Sequence, residues 1–463
     1  SSDVCSSDLA ERMLVSARAG WVAGMLFAVH PLATELVNYV SSRSESLAAC
    51  LYLLVLAAHG RVVRGGSSAA IGAYGGALLA KSVAISAPLV ALAWDWGQGR
   101  ALRVRVWAPY GAVALCYAVI VYLNRFIGDS LAAPVRPLAV QLWTQLKAPA
   151  YYLYLAFMPV KLNVHHQFFT SSGLADPAVC LGLALVLSML YIGWRGWRTP
   201  VGWSMLWAGL VLAPTFIMPL NMLVNERRLY LPMAGLAFAL GWVLRRTSVP
   251  TSLGLIAVLL YAGLTIQRNA VWQDELSLWA DAAERAPQMH AVQNNLGKAL
   301  QEDGRWDEAL VAYGRAAAID PRHGDAYNNA ATIYHLRGKE MIAEGRKAEG
   351  MASLRRAQDA YRKALAVYPT YEEIHQNLAV ACAELGEIDQ AFTHYARALE
   401  LNPQRGDVWN NYGQLLYDSG RLEQAEAAFV RAIEAQPEQA EPYNNLGNIY
   451  ADRGDWERSV RSY

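Results

Sequence analysis

The sequence predicts an all-α protein in two parts: a polytopic bundle of transmembrane helices, then a solenoid of repeated helical hairpins. Three observations predict it. Apolar runs crowd the region before Pro287, prolines recur at a fixed step from there on, and formal charge changes sign between the two. The part before Pro287 holds 21 Lys+Arg against 13 Asp+Glu, net +8, and the remainder 19 against 26, net −7. Over the whole chain 54% of residues are hydrophobic and 17% charged, below the quarter usual in soluble domains. The basic residues sit in short clusters between apolar runs, which is the pattern of membrane orientation and not of nucleic-acid binding.

The opening SSDVCSSDLAER has no apolar core, cannot act as a signal peptide, and reads as a non-native leader over 1–12. A multi-span domain is expected over 13–268, a connecting helix over 269–289 and the solenoid over 290–463. The five cysteines form no metal-binding or CxxC spacing; Cys50, Cys116 and Cys180 lie in or beside apolar segments, as small hydrophobes do.

A spanning helix needs about 20 mostly apolar residues. Candidate spans are 17–30, 45–60, 67–80, 82–96, 107–124, 178–194, 201–218, 229–244 and 251–267. The pair flanking Lys81 also fits a broken or re-entrant unit. Residues 138–158, rich in Tyr, Trp and Gln, fit either a further span or a helix lying along the interface. Arg61/Arg64, Arg100/Arg103/Arg105, Arg195/Arg198 and Arg245/Arg246 mark alternate turns as cytosolic. That places the turns around His30–Arg43, Lys81, Arg125–Gln167 and Pro219–Tyr230 outside, and the C-terminal array with them, in the periplasm, the cell exterior or an ER lumen.

Those outer turns carry ionisable groups that a plain anchor does not need. AVHPLATELVNYVSSRSE supplies His30, Glu35 and Arg43; Pro31 suits a first helical turn, which would set Glu35 and Arg43 on one face. LLAKSVAISAP supplies Lys81, and PLNMLVNERRLYLP supplies Glu226, Arg227, Arg228 and Tyr230. Charges at a membrane edge are costly unless paired or facing a wet cavity, so these are site candidates. Arg and Lys there suit a phosphate group, Arg because its fork matches the oxygens. The competing reading for any one of them is snorkelling. His165–His166, with no acidic partner at obvious spacing, reads as structural or interfacial.

The solenoid rests on repetition. Pro287, Pro321, Pro369, Pro403 and Pro437 are 34, 48, 34 and 34 apart, the same steps relate Gly297, Ala331, Ala379, Gly413 and Gly447, and Tyr313, Tyr361, Tyr395, Phe429 and Tyr463 are 48, 34, 34 and 34 apart. This resembles the tetratricopeptide repeat (TPR) over about five repeats, the last incomplete, with a 14-residue insertion lengthening the second. Asn295, Asn329, Asn377, Asn411 and Asn445 recur on the same steps. Carboxamides both donate and accept, so a row of them can hold an extended peptide backbone. It resembles the asparagine ladder of O-linked N-acetylglucosamine transferase. The alternative is that each bonds the neighbouring repeat.

FAVHPLATELVNYVSSRSE, ERRLYLPMAG and RNAVWQDELSLWADAAERAP leading into the repeats together resemble the transmembrane and TPR repeat-containing family of protein O-mannosyltransferases, of the GT-C glycosyltransferase class. The resemblance implies a GT-C-like bundle that transfers a sugar, mannose by analogy, from a polyprenyl- or dolichyl-phosphate carrier to protein Ser/Thr outside the cytosol. The acidic catalytic residue it implies, in a first external loop, has no counterpart here, so the general base is unassigned and this chain by itself is expected to be inactive. Glu35 with His30 would support catalysis. Arg43, Lys81, Glu226, Arg227, Arg228 and Tyr230 would serve the donor phosphate, and the array would bind extended or unfolded acceptor segments. Membrane lipid is the other expected partner; no metal ligand set stands out. Two other classes stay open: a non-catalytic membrane-anchored adaptor for envelope or secretory proteins, and a polymerase or ligase of lipid-linked polysaccharide.

Overall fold

The computed structural model describes residues 17–38, 43–63, 68–124, 136–217, 222–247 and 250–462; the leader expected at 1–12 lies outside them. Among the described residues every regular element is helical. The chain divides into two compact units, Ser1–Ala286 and Pro287–Tyr463.

The first unit runs through α1 (Ala17–Ala28), α2 (Ala33–Asn38), α3 (Arg43–Val63), α4 (Ser68–Ala80), α5 (Ala87–Gly97), α6 (Val104–Leu123), α7 (Leu138–Phe157), α8 (Pro177–Arg195), α9 (Pro200–Ile217), α10 (Tyr230–Arg246), α11 (Thr251–Val271) and α12 (Glu275–Arg285). Among the described residues three segments are long and apolar enough to cross a membrane: Val104–Leu123, Pro177–Arg195 and Ser252–Val271. Their outer surfaces are bare, with Leu115, Leu187 and Leu259 exposed, a surface that water would not tolerate in so large a patch.

The candidate spans at 17–30, 67–80 and 82–96 are short among the described residues. The helices there, α1, α4 and α5, have 12, 13 and 11 residues, about 18, 20 and 17 Å at 1.5 Å each, against about 30 Å of hydrocarbon. The break at Lys81 is real: its backbone is extended (φ −160°, ψ 135°) and a 3₁₀ turn, Ser82–Ser86, leads into α5. Packing holds this broken pair. Tyr52, Tyr74, Tyr110, Trp203 and Trp207 form a common core with Val90, and the Trp203 indole N–H donates to the Val90 carbonyl at 2.9 Å.

Helix α7, over the stretch 138–158, turns its polar side towards protein. Gln141, Thr144 and Gln145 are buried; Gln141 donates to the Thr215 carbonyl (2.8 Å), just past Pro214 inside α9, and Gln145 to the Leu223 carbonyl (3.0 Å). The α7–α8 crossing depends on Gly182, where any Cβ would run into the Leu146 carbonyl.

The second unit is five hairpins: α13 (His290–Glu302) with α14 (Trp306–Ile319), α15 (Gly324–Ala343) with α16 (Lys347–Val367), α17 (Glu372–Glu384) with α18 (Ile388–Leu401), α19 (Gly406–Asp418) with α20 (Leu422–Ala435), and α21 (Ala440–Asp452) with α22 (Trp456–Ser462). A glycine at positive φ closes each: Gly304, Gly345, Gly386, Gly420 and Gly454. The 14-residue insertion is shared equally. α15 and α16 have 20 and 21 residues where α13 and α14 have 13 and 14, seven more each, or about two turns. Two whole turns leave the buried faces in phase, so Ala331 and Tyr361 still meet the core. At Gly297 and Gly413 a Cβ would strike the rings of Tyr313 and Phe429, which explains the small residue at that step of the repeat.

Candidate functional site

Within the first unit, three short segments bring the outer-turn charges together. His30 begins the first. It is 4% exposed; its Nδ1 accepts from the Leu32 N–H (3.2 Å), so the ring is neutral and Nε2–H donates to the Ala156 carbonyl (2.9 Å). Burial also holds its pKa below the ordinary value. With both nitrogens on main chain, His30 fixes the turn that presents α2. Thr34 locks the same turn by donating to the Pro31 carbonyl at 2.7 Å.

Glu35 follows in the first turn of α2, 2% exposed. The expectation that Glu35 and Arg43 share one helical face falls outside the described residues, which include neither 39–42 nor the Arg43 side chain. The partner of Glu35 is Arg227, with Nε 3.6 Å from Oε1, and Arg227 Nη1 is 3.8 Å from Glu45 Oε1. Glu45 in turn binds Lys81 Nζ at 2.7 Å. A chain Glu35–Arg227–Glu45–Lys81 thus joins three segments: the outer turn that carries both glutamates, the break at Lys81, and the 3₁₀ turn with Arg227. Burial pushes the Glu35 carboxyl up to about 8, the Glu226 carboxylate adding to the rise and the Arg227 guanidinium opposing it.

The third segment is the 3₁₀ turn Glu226–Leu229 before α10, capped by the Asn225 side chain, which accepts from the Arg227 N–H at 3.0 Å. Glu226 is fully buried. Its Oε1 accepts from the Asn163 N–H at 2.5 Å and stands 3.0 Å from His166 Nε2, while Tyr151 OH meets His166 Nδ1 at 2.9 Å. The reading of His165–His166 as lacking an acidic partner is therefore corrected at His166. Arg228 donates to the carbonyls of Leu223 (3.1 Å) and Met222 (2.9 Å) and so pins its own loop. Tyr230 stacks against Phe27 at 5.0 Å between ring centres. Beneath all of this lies an apolar floor of Leu32, Tyr152, Leu155, Leu162, Val224 and Leu229.

Residue-by-residue reading of the sequence missed Glu45, Asn163, His166 and Asn225. Glu45 had a signal, as an acid two residues from Arg43 in the same outer turn. The others had none, because their role comes from segments folded in from afar. Among the described residues no group of three or more His, Cys, Asp or Glu is arranged to hold a metal ion.

In the second unit the five asparagines divide. Asn329 donates to Asn294 (3.1 Å) and Asn445 to Asn410 (2.9 Å), each joining adjacent repeats. Asn295, Asn377 and Asn411 are half-buried, and no hydrogen bond engages their side chains among the described residues.

This second unit is a tetratricopeptide repeat array: that family matches residues 290–323, 342–406, 388–447 and 443–463. The chain is similar to curated proteins named protein O-mannosyl-transferase. F38B6.6 of Caenorhabditis elegans is 23% identical over 319 residues, 65% of this chain and 46% of that protein. Tmtc3 of Drosophila melanogaster is 27% identical over 188 residues, 39% and 20%. Human TMTC1 is 32% identical over 120 residues, 24% and 14%. The matched stretches thus span less than half the length of each relative. Among solved structures, YrrB, titled a TPR protein with an unusual peptide-binding site, is 23% identical, covers 40% of this chain and 88% of that one, and has a TM-score of 0.33.

Proposed function

We propose that the protein is a multi-pass membrane glycosyltransferase that moves a sugar, mannose by analogy with its relatives, from a polyprenyl- or dolichyl-phosphate donor to Ser/Thr of a protein acceptor. The transfer takes place on the extracytoplasmic side, and the TPR array binds the acceptor. The observation that carries this reading is the Glu35–Arg227–Glu45–Lys81 chain, assembled from three separate segments. An anchor for an adaptor has no use for it.

Charge accounting favours an anionic ligand. With Glu35 protonated below about 8, Arg227 and Lys81 share one carboxylate, Glu45, while Glu226 is met by His166 and Arg228 by main-chain carbonyls. One positive charge is left over, which matches the single negative charge of a phosphodiester. Lys81 and Arg227 are the partly exposed cations, 43% and 22% at the side chain, and would take the phosphate, stabilising charge that builds on it as the sugar leaves. Glu35, poised to hold or release a proton near neutral pH, would serve the acceptor hydroxyl. His30, Arg228 and Tyr230 would hold the frame around them.

The test is transfer of radiolabelled mannose from polyprenyl-phosphate mannose to a Ser/Thr peptide by the full-length protein in vesicles. Lys81→Ala and Arg227→Ala should raise the donor KM while the protein stays folded. Wild-type-like transfer by both variants, or no transfer by the intact protein, overturns the reading.

A further inference from the structure

The array carries a set of acids on its first helices that the mannosyltransferase reading does not use. Successive first helices of the hairpins come closer to one another than successive second helices do, so the first helices form the concave side. They are also bonded in a row: His335 to Glu384 (2.7 Å), Gln376 to Asp407 (3.2 Å), and Tyr417 to Asp452. In repeats three to five these inner helices, α17, α19 and α21, contain seven Asp/Glu and no Lys or Arg. The outer helices of the same repeats, α18, α20 and α22, are mixed, with four Lys/Arg and six Asp/Glu, so it is the absence of bases that sets the inner helices apart.

Helix stability explains only half of this pattern. Acids in the first turn, such as Glu373 and Glu441, complement the helix dipole. Asp418 and Asp452 are the last residues of α19 and α21, where the dipole disfavours a carboxylate. Glu373, Asp418, Glu441 and Asp452 are all exposed, and none forms an ion pair among the described residues. Between them lie the open carboxamides of Asn377 and Asn411.

We propose that the concave face of repeats three to five docks extended cationic protein segments. The main chain is held by Asn377 and Asn411, and Lys or Arg side chains are paired with Glu373, Asp418, Glu441 and Asp452. The proposal rests on the reading of the array as a peptide groove and adds the chemistry of its occupant. Neighbouring helices stand about 10 Å apart and an extended chain covers about 3.4 Å per residue, so one cation about every third residue fits the repeat.

The experiment is fluorescence anisotropy on the full chain in detergent, with two labelled probes: a Lys-Ser-Gly repeat and a Gln-Ser-Gly repeat of equal length. The Lys probe should bind about tenfold tighter at low salt, and the gap should close as salt is raised. The double variant D418N/D452N, which keeps the shape and relieves the dipole conflict, should lose most of that gap. Asn377→Ala with Asn411→Ala should weaken both probes alike. Equal binding of the two probes, or a gap that survives D418N/D452N, overturns the cationic preference and leaves the groove reading intact. Binding of neither probe overturns both.

Discussion

At Glu35, burial and a neighbouring carboxylate act in the same direction, and one arginine 3.6 Å away opposes them without reversing the result. A carboxyl raised to about 8 keeps its proton in the folded state after the unfolded chain has released it. Stability should therefore fall as pH rises from the ordinary carboxylate range towards about 8, and Glu35→Gln should flatten that slope in thermal unfolding in detergent. The same variant should lower sugar transfer by about a hundredfold or more if Glu35 handles the acceptor proton. His30 behaves in the opposite way. Its pKa is depressed by burial, so the folded state resists the proton that the unfolded chain accepts, and its contribution is lost as pH falls below the ordinary imidazole range. His30→Ala should cost about 1–3 kcal/mol, since it orphans the Leu32 N–H and the Ala156 carbonyl, measurable by denaturant unfolding.

At the scale of the element, helix ends position the chemistry. The break at Lys81 turns one long apolar run into two short helices and puts an ammonium where a continuous helix would have buried it in lipid. The 3₁₀ turn Glu226–Leu229 sends Glu226 to one side, towards Asn163 and His166, and Arg227 to the other, towards Glu35 and Glu45. Adjacent residues of one turn cannot share a face, so the two charges find their partners on opposite sides. In the array, small residues decide how closely paired helices approach. Gly413→Val should cost about 1–3 kcal/mol by overpacking against Phe429, read as a lower unfolding midpoint of the array, whereas Gly314→Ala, with open space around its Cβ, should leave it unchanged or raised.

For the molecule as a whole, the alternation of basic turns sets a testable orientation. In a cysteine-free background, Cys placed at Asp303 in the array should react with an impermeant maleimide added outside intact cells, and Cys at Arg103 should react only after permeabilisation. The reverse pattern would place the array in the cytosol and remove the extracytoplasmic reading of the site. The two units also differ in how they are held. The bundle relies on an aromatic core and on buried amides satisfying kinked backbone. The array relies on a repeated contact in which each hairpin covers the next.

Periodicity alone determined the array. Its step, its small-to-aromatic contact and its insertion are local patterns that packing can only realise in one way. Apolar runs likewise determined that the first unit is helical and greasy, but not where each helix stops. Helix length depends on which backbone breaks neighbouring side chains can satisfy, as Gln141 does at Thr215. Only the tertiary structure decided the site's pairings: Glu45 with Lys81, Glu226 with His166, His30 with main chain, and two of five asparagines with the next repeat. The reason is physical. A sequence names which groups carry charge, but desolvation and distance decide which of them meet, and both are set by segments far apart in the chain.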